Sequence, residues 1–495
     1  MKKSNILVNR QLLIGEIEDS MFSSFLEHLG RAIYGGIYEP NHPTADGDGF
    51  RNDVAKLVED LQIDLVRYPG GNFVSNYNWE DGIGPRSKRP TKKEEAWKSL
   101  EPNWIGIDEF MLWSKKVNIK PMIAINLGTG TVDSAHNLIQ YCNANDNSYY
   151  ASLRRKFGSK EPYNINYWCL GNEMDGDWQI GHMPCLDYCQ KAHLAAQKMR
   201  EVDPNAKFIV CGSSSIDMIT FPEWDRTVCE NLYDDMDYLS IHQYFYESTT
   251  ENDYYASYLA MNNYIDILRS VIKYAKAKNH SKKDIYFCFD EYNIWYNNKK
   301  LEDNYSIAPP LLEEFQSVKD TIVFSGLLNT LLNNCDVVKI ACLAQLVNVI
   351  APIMTQNKGM AIKNLIYYPY YYFSRYCRGV TLKSSIIKGD KFASRFGEAY
   401  YVSEAVVQNK EGIVVLLTNY AEEEMLVNVQ LGGYKNIEVI EHLLINGGNL
   451  NAKNTFESPE TVVPKKAINS VVIQGENVDI KIPPFSWNIV RLKAD

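Results

Sequence analysis

What is scarce in this chain narrows it first. Ten cysteines are spread over 495 residues, too dilute for a disulfide framework, and Cys185 and Cys189, although at helical spacing, do not belong to a recognisable zinc motif. Buried thiols are the expectation. Long apolar runs are missing: the most apolar later stretch, Val337 to Met354, carries Lys339, Gln345 and Asn348, which hydrocarbon would penalise, so no membrane span is expected. Positive charge is short as well. The formal net charge is -10, and no Lys/Arg stripe interleaved with aromatics offsets it, which argues against nucleic acid as a partner. Neither a GxGxxG turn in a βαβ setting nor a GxxxxGK(S/T) loop occurs, and no cluster of His and carboxylates has metal spacing, so neither cofactor nor metal is expected. There is no repeat at solenoid periods and no low-complexity linker. Lys2 and Lys3 could begin a signal peptide, but Asn5, Asn9, Arg10 and Gln11 interrupt the apolar stretch that should follow, and a cytoplasmic location is expected.

What is present is an ordinary globular composition, 45% hydrophobic and 23% charged, in a length that suits one large and one smaller domain. From Phe22 to Gln345, β-rich runs alternate with stretches of helical periodicity, the pattern of repeated βα units. The predicted strands are Phe22 to Glu27, Ile63 to Arg67, Pro121 to Asn126, Asn166 to Glu173, Lys207 to Gly212, Asp237 to His242, Ile285 to Glu291 and Val338 to Gln345. Eight such strands close into an α/β fold of the (β/α)8, or TIM barrel, type. Cys185 to Glu201 and Tyr255 to Lys278 return apolar residues every three or four positions and read as helices. Beyond Phe373 the texture changes to short alternating or apolar runs between turn residues, at Ile413 to Asn419, Met425 to Leu431, Asn436 to Leu444, Ser470 to Gln474 and Asn477 to Ile482. The expected organisation is a catalytic barrel over 15–373 and a jelly-roll-like antiparallel β-sandwich over 374–495, completed by an N-terminal strand within 1–14.

In such a barrel the C-terminal strand ends form the active face, where Glu27, Arg67, Asn172, Glu173, His242, Glu291 and Gln345 would converge. Two strand-end glutamates suit glycoside hydrolysis with retention, which needs two carboxyl groups about 5 to 5.5 Å apart. From the residues alone Asp175, Asp177 and Asp290 compete with Glu173 and Glu291, and composition does not choose among them.

Four ordered stretches resemble glycoside hydrolase family 51, the α-L-arabinofuranosidases: Phe25 to Pro40 (FLEHLGRAIYGGIYEP), Arg67 to Pro85 (RYPGGNFVSNYNWEDGIGP), Cys169 to His182 (CLGNEMDGDWQIGH) and Asp290 to Tyr296 (DEYNIWY), with a weaker one from Ala344 to Ile353. The resemblance implies Glu173 as acid/base and Glu291 as nucleophile. It implies Glu27, Arg67, Asn72, Asn172, Tyr244 and Gln345 around the arabinofuranose ring or the nucleophile, and Trp97 beside the next sugar, although from the residues alone Trp97 reads equally as a helix residue packed on the barrel. His242 is read as a hydrogen-bonding support rather than a general base, and His28 and His182 are treated with the same caution. Carried over, the activity is that of a retaining, exo-acting α-L-arabinofuranosidase working on arabino-oligosaccharides, arabinan or arabinoxylan fragments, without cofactor, in a homo-oligomer that is hexameric in the family. Tyr292 departs from the tryptophan that the family more often places after the nucleophile. Another retaining barrel enzyme, a glucanase or xylanase, is the nearest alternative, and a non-catalytic carbohydrate-binding protein the more distant one.

Overall fold

The computed structural model describes residues 1–247, 250–296, 305–446 and 448–495. Eight parallel strands, Ser23–Phe25, Leu65–Tyr68, Lys120–Ile125, Tyr167–Leu170, Lys207–Cys211, Tyr238–Phe245, Tyr286–Ile294 and Val338–Ala344, follow one another around a closed barrel. The eighth pairs with the first, Cys342 opposite Ser23 and Ala344 opposite Phe25. Strand alternation divides the apolar residues between two cores. Leu65, Met122, Ala124, Cys169, Ile209, Cys288 and Ile340 fill the barrel interior, whereas Val66, Ile123, Trp168, Val210, Leu239 and Phe287 face outward into the layer of helices. This double demand explains why the strands read as nearly unbroken hydrophobic runs. All ten cysteines are unpaired and nine are buried. Among the described residues no helix is long and apolar enough to cross a membrane.

The second body is a ten-stranded sheet. Lys2–Glu16 sits inside it, between Val380–Lys388 and Met425–Gly432, and the order continues through Val402–Asn409, Gly412–Asn419, Ser486–Lys493 and Glu438–Asn446 on one side and Asn477–Ile482 on the other. The sheet folds over itself. Ile6, Val8, Val427, Val429 and Ile480 from one half share a core with Ile413, Val415, Leu417 and Val490 from the other, and the alternate residues Val414, Leu416, Trp487 and Ile489 pack on the barrel side. One pairing departs from the antiparallel expectation: Lys2 to Asn9 runs parallel to Met425 to Gly432. Inward and outward alternation is the same for either direction of a partner, so only the path of the chain sets it.

The helix Val318–Asn333 joins the two bodies. It starts with a capping box, Ser317 accepting from the Asp320 amide and Asp320 from the Ser317 amide, and nearly all its residues are buried. It lies against the sheet, where Ser325 meets Thr418 at 2.8 Å and Asn329 donates to Ser403 at 3.1 Å.

Candidate active site

A cavity of about 620 Å³ opens at the C-terminal ends of the barrel strands. Glu27, Asn72, Trp97, Glu173, Tyr244, Glu291 and Gln345 line it; Arg67 and His242 lie buried beneath, bonded to Glu291 and Glu173, and Asn172 lies buried against Arg67.

The seventh strand shows how the floor is built. Its register against the sixth runs from Cys288 opposite Ser240 to Glu291 opposite His242, three steps on one strand against two on the other. The same extra residue shows against the eighth strand, between Phe289 and Tyr292. In a regular strand Asp290 and Glu291 would face opposite ways. The bulge turns both inward, so one guanidinium meets both: Arg67 Nη1 donates to Glu291 Oε1 at 2.7 Å, and Arg67 Nε lies 3.2 Å from Asp290 Oδ2. Arg67 Nη2 donates to Asn172 Oδ1 at 2.6 Å, and its guanidinium covers the Phe25 ring. On the sixth strand Ser240, His242 and Tyr244 share a face by their spacing of two; Tyr244 donates to Glu291 Oε2 at 2.7 Å.

Glu173 follows the fourth strand in a tight turn, with Gly171 at φ 95° and Glu173 itself at φ 44°, a conformation that a side chain with a Cβ adopts only when its surroundings hold it. Those surroundings are His242 Nδ1, 2.9 Å from Glu173 Oε1, and the Trp178 indole, which donates to Oε2 at 2.8 Å. Ligand atoms of Glu173, His242 and Glu291 all lie within 4.8 Å of one another. They are the one such trio of His, Cys, Asp or Glu side chains among the described residues; Arg67 and Tyr244 donate to Glu291 and Trp178 donates to Glu173.

Electrostatics separate the acids. Burial pushes Glu291 up, His242 and Arg67 pull it down, Glu173 adds to the rise, and the balance lies above the ordinary value. Asp290 is held below its ordinary value, because Arg67 and His242 outweigh its burial. Glu27 is pushed up to about 8, by burial first and by Glu291 second, against hydrogen bonds from the Phe73 amide and the Trp97 indole. Burial disfavours the His242 cation, but Glu291 and Asp290 prevail and hold it well above its ordinary value.

The side chains singled out in the sequence therefore meet, some of them differently from expectation. Asn172 accepts from Arg67 and donates to Gln179 (3.2 Å), which ties it to the partner of the nucleophile. Trp97 reaches Glu27 through its indole at 2.9 Å while lining the cavity. Tyr292 faces away from the floor, stacked on Phe324. His28 is held between Glu101 and Tyr68, and His182 bonds the Gln179 carbonyl. The sequence reading did not assign Ser240 and Gln179 beneath the floor, nor Ser214, Ser215, Gln243, Trp295, Leu312, Val349 and Ile350 on the walls. Trp295, one residue past the seventh strand, could have been found by position; the apolar wall from Leu312, Val349 and Ile350 carries no pattern of its own.

Comparison with known proteins agrees with this geometry. Residues 57–262 match the family model of the α-L-arabinofuranosidase 1 domain, and residues 290–486 that of the α-L-arabinofuranosidase C-terminal domain. The intracellular exo-α-(1→5)-L-arabinofuranosidase 1 of Bacillus subtilis is 42% identical over 501 residues, covering 100% of this chain and 99% of that protein. An exo-α-(1→6)-L-arabinofuranosidase of Bifidobacterium longum is 38% identical over 513 residues, covering 100% and 98%. The solved structure of a family 51 α-L-arabinofuranosidase from Bifidobacterium longum superimposes with a TM-score of 0.94 at 35% identity, over 99% of each chain. By sequence and by structure alike, the chain belongs to the α-L-arabinofuranosidases of glycoside hydrolase family 51.

Proposed function

We propose that this protein removes terminal, non-reducing α-L-arabinofuranosyl groups with retention of configuration, Glu291 acting as nucleophile and Glu173 as acid/base. The observation that carries the reading is the approach of their carboxyl oxygens to within 4.8 Å. That approach favours the ≈ 5 to 5.5 Å carboxyl separation of retaining enzymes over the ≈ 6.5–9.5 Å that an inverting enzyme keeps for its water. Glu291 attacks the anomeric carbon while Glu173 gives its proton to the departing oxygen, leaving an arabinofuranosyl ester. Glu173, now ionised, takes a proton from water, which attacks the same carbon and frees Glu291. Arg67 and Tyr244 aim one Glu291 oxygen each. Glu27, Asn72 and Gln345 offer polar groups to the ring hydroxyls, and Trp97 offers a flat face to the next sugar.

The proposed substrate class is arabino-oligosaccharides and arabinan or arabinoxylan fragments; relatives named for α-(1→5) and for α-(1→6) linkages leave the linkage to a panel of defined oligosaccharides. Cytoplasmic action on short fragments is proposed from relatives named intracellular, and a homo-oligomer from family membership, which light scattering of the purified protein tests.

The chemical test is a pair of variants. Glu291→Ala is expected to fall to background on 4-nitrophenyl α-L-arabinofuranoside. Glu173→Ala is expected to lose about 10²–10⁴-fold on oligosaccharides, with a smaller loss on aryl glycosides, whose leaving group needs little acid. Proton NMR of the first-formed product should show the α anomer; a β product, or normal turnover by Glu291→Ala, overturns the reading.

A further inference from the structure

Asp290 takes no part in the double displacement, yet it is fully enclosed at the floor of the site. Its Oδ1 accepts from the Ser240 hydroxyl at 2.6 Å and lies 3.3 Å from His242 Nε2, and its Oδ2 lies 3.2 Å from Arg67 Nε. The far sides of those two partners face the reacting groups. His242 Nδ1 is 2.9 Å from Glu173 Oε1 and 3.8 Å from Glu291 Oε1, and Arg67 Nη1 is 2.7 Å from Glu291.

We propose that Asp290 is a positioning residue of the reaction, holding a doubly protonated His242 against both reacting carboxyls and Arg67 against the nucleophile. The inference rests on the assignment of Glu173 and Glu291 made above. With acceptors at both nitrogens an imidazole donates from each and is a cation: Nδ1 faces the Glu173 carboxyl, and Nε2 faces Asp290 and, at 3.2 Å, the Ser240 hydroxyl, which gives its own proton to Asp290 and can accept. The first half of the reaction moves negative charge from Glu291, which becomes an ester, to Glu173, which gives up its proton. His242 faces both, so one fixed cation serves each state without rearrangement, the condition for electrostatic stabilisation at no reorganisation cost. Asp290 is the counter-ion that stays charged throughout. The other titratable neighbours agree: Tyr244 donates to Glu291, and burial pushes the thiols of Cys169 and Cys211 up to about 12, which keeps them neutral.

The test is Asp290→Asn, which keeps shape and removes charge. A kcat loss of about a hundredfold is expected on aryl and oligosaccharide substrates alike, with KM little changed. The alkaline limb of the kcat/KM profile should move to lower pH, because His242 loses one of the carboxylates that hold its proton. In a His242→Gln background the Asp290→Asn change should cost less than it does in the wild type, the remainder being its hold on Arg67. Near wild-type kcat with an unmoved alkaline limb overturns the proposal, and so does a lost activity whose residual profile keeps the wild-type limb. If Asp290→Asn fails to fold, ¹⁵N-histidine labelling of the unaltered protein decides the matter. One imidazole of the eight histidines, assigned by its disappearance in His242→Gln, should stay doubly protonated on the alkaline side, and a neutral ring there sinks the proposal. An active Glu291→Ala would fail the functional reading itself, whereas an indifferent Asp290→Asn fails only this inference.

Discussion

Gly71 shows how little room the floor leaves. A Cβ there would lie 3.0 Å from Glu291 Oε1 and 3.4 Å from Glu27 Oε2, and one on Gly70 would lie 2.8 Å from Glu27 Cγ. Gly71→Ala is therefore expected to lower kcat at least about tenfold by shifting the nucleophile against its Arg67 and Tyr244 partners, since misplacement of about an ångström can cost a hundredfold. Its melting temperature should change little, which separates the effect from unfolding. Glu27, Arg67, Glu173, Glu291 and Gln345 were legible as strand-end residues because barrels place their chemistry there. What they touch was not. Asn172 reads equally well as a substrate ligand or as the partner of Arg67, and the choice depends on an arginine more than a hundred positions away in the chain. Gly176 is a similar case: a Cβ there would meet the Trp178 indole at 2.6 Å, so its absence lets the indole reach Glu173.

At the scale of elements, the bulge in the seventh strand has no signature beyond two adjacent acids in an apolar run, which a regular strand would send to opposite faces. The strands Val402–Asn409 and Ser486–Lys493 were not anticipated, and the reason is their surroundings. Ser486–Lys493 is buried on both faces along most of its length, so it lacks the alternation that identifies a half-exposed strand. The joining helix offers a prediction against propensity. Alanine normally stabilises a helix by about 1 kcal/mol over glycine, but a Cβ on Gly326 would overlap the Tyr420 hydroxyl, carried on a rigid ring from the sheet. Gly326→Ala should be net destabilising, by about 1–3 kcal/mol of overpacking, seen as a lower melting temperature; a rise in melting temperature would show that the contact yields easily.

Across the whole molecule, the N-terminal strand stitches the ends of the chain together, pairing with Val380–Lys388 and Met425–Gly432 while Ile6 and Val8 enter the sheet core. The sheet also holds a half-buried acid remote from the chemistry. Glu404, which accepts from the Ser384 hydroxyl at 3.1 Å, is pushed up to about 7 by burial. Between about pH 4.5 and 7 the folded protein keeps a proton that the unfolded chain has released, so this group's contribution to stability falls as the pH rises and is lost above 7. The shift bounds the effect at about 3 kcal/mol. Glu404→Gln, which keeps the hydrogen bond without the ionisation, should therefore gain melting temperature relative to the wild type at pH 8 compared with pH 5. Equal differences at both pH values would mean that Glu404 is hydrated in solution.

The linear order of residues was enough for the class of fold, the number of barrel strands and the family. All three follow from local periodicity and from short motifs that keep their spacing, and neither depends on which distant segments touch. The tertiary structure alone decided the bulge that faces Asp290 and Glu291 the same way, the pairing of Arg67 with both, the parallel seat of the first strand and the apolar wall of the cavity. Each of these is a contact between segments far apart in the chain, and its geometry exists only once the barrel has closed and the sheet has folded onto it.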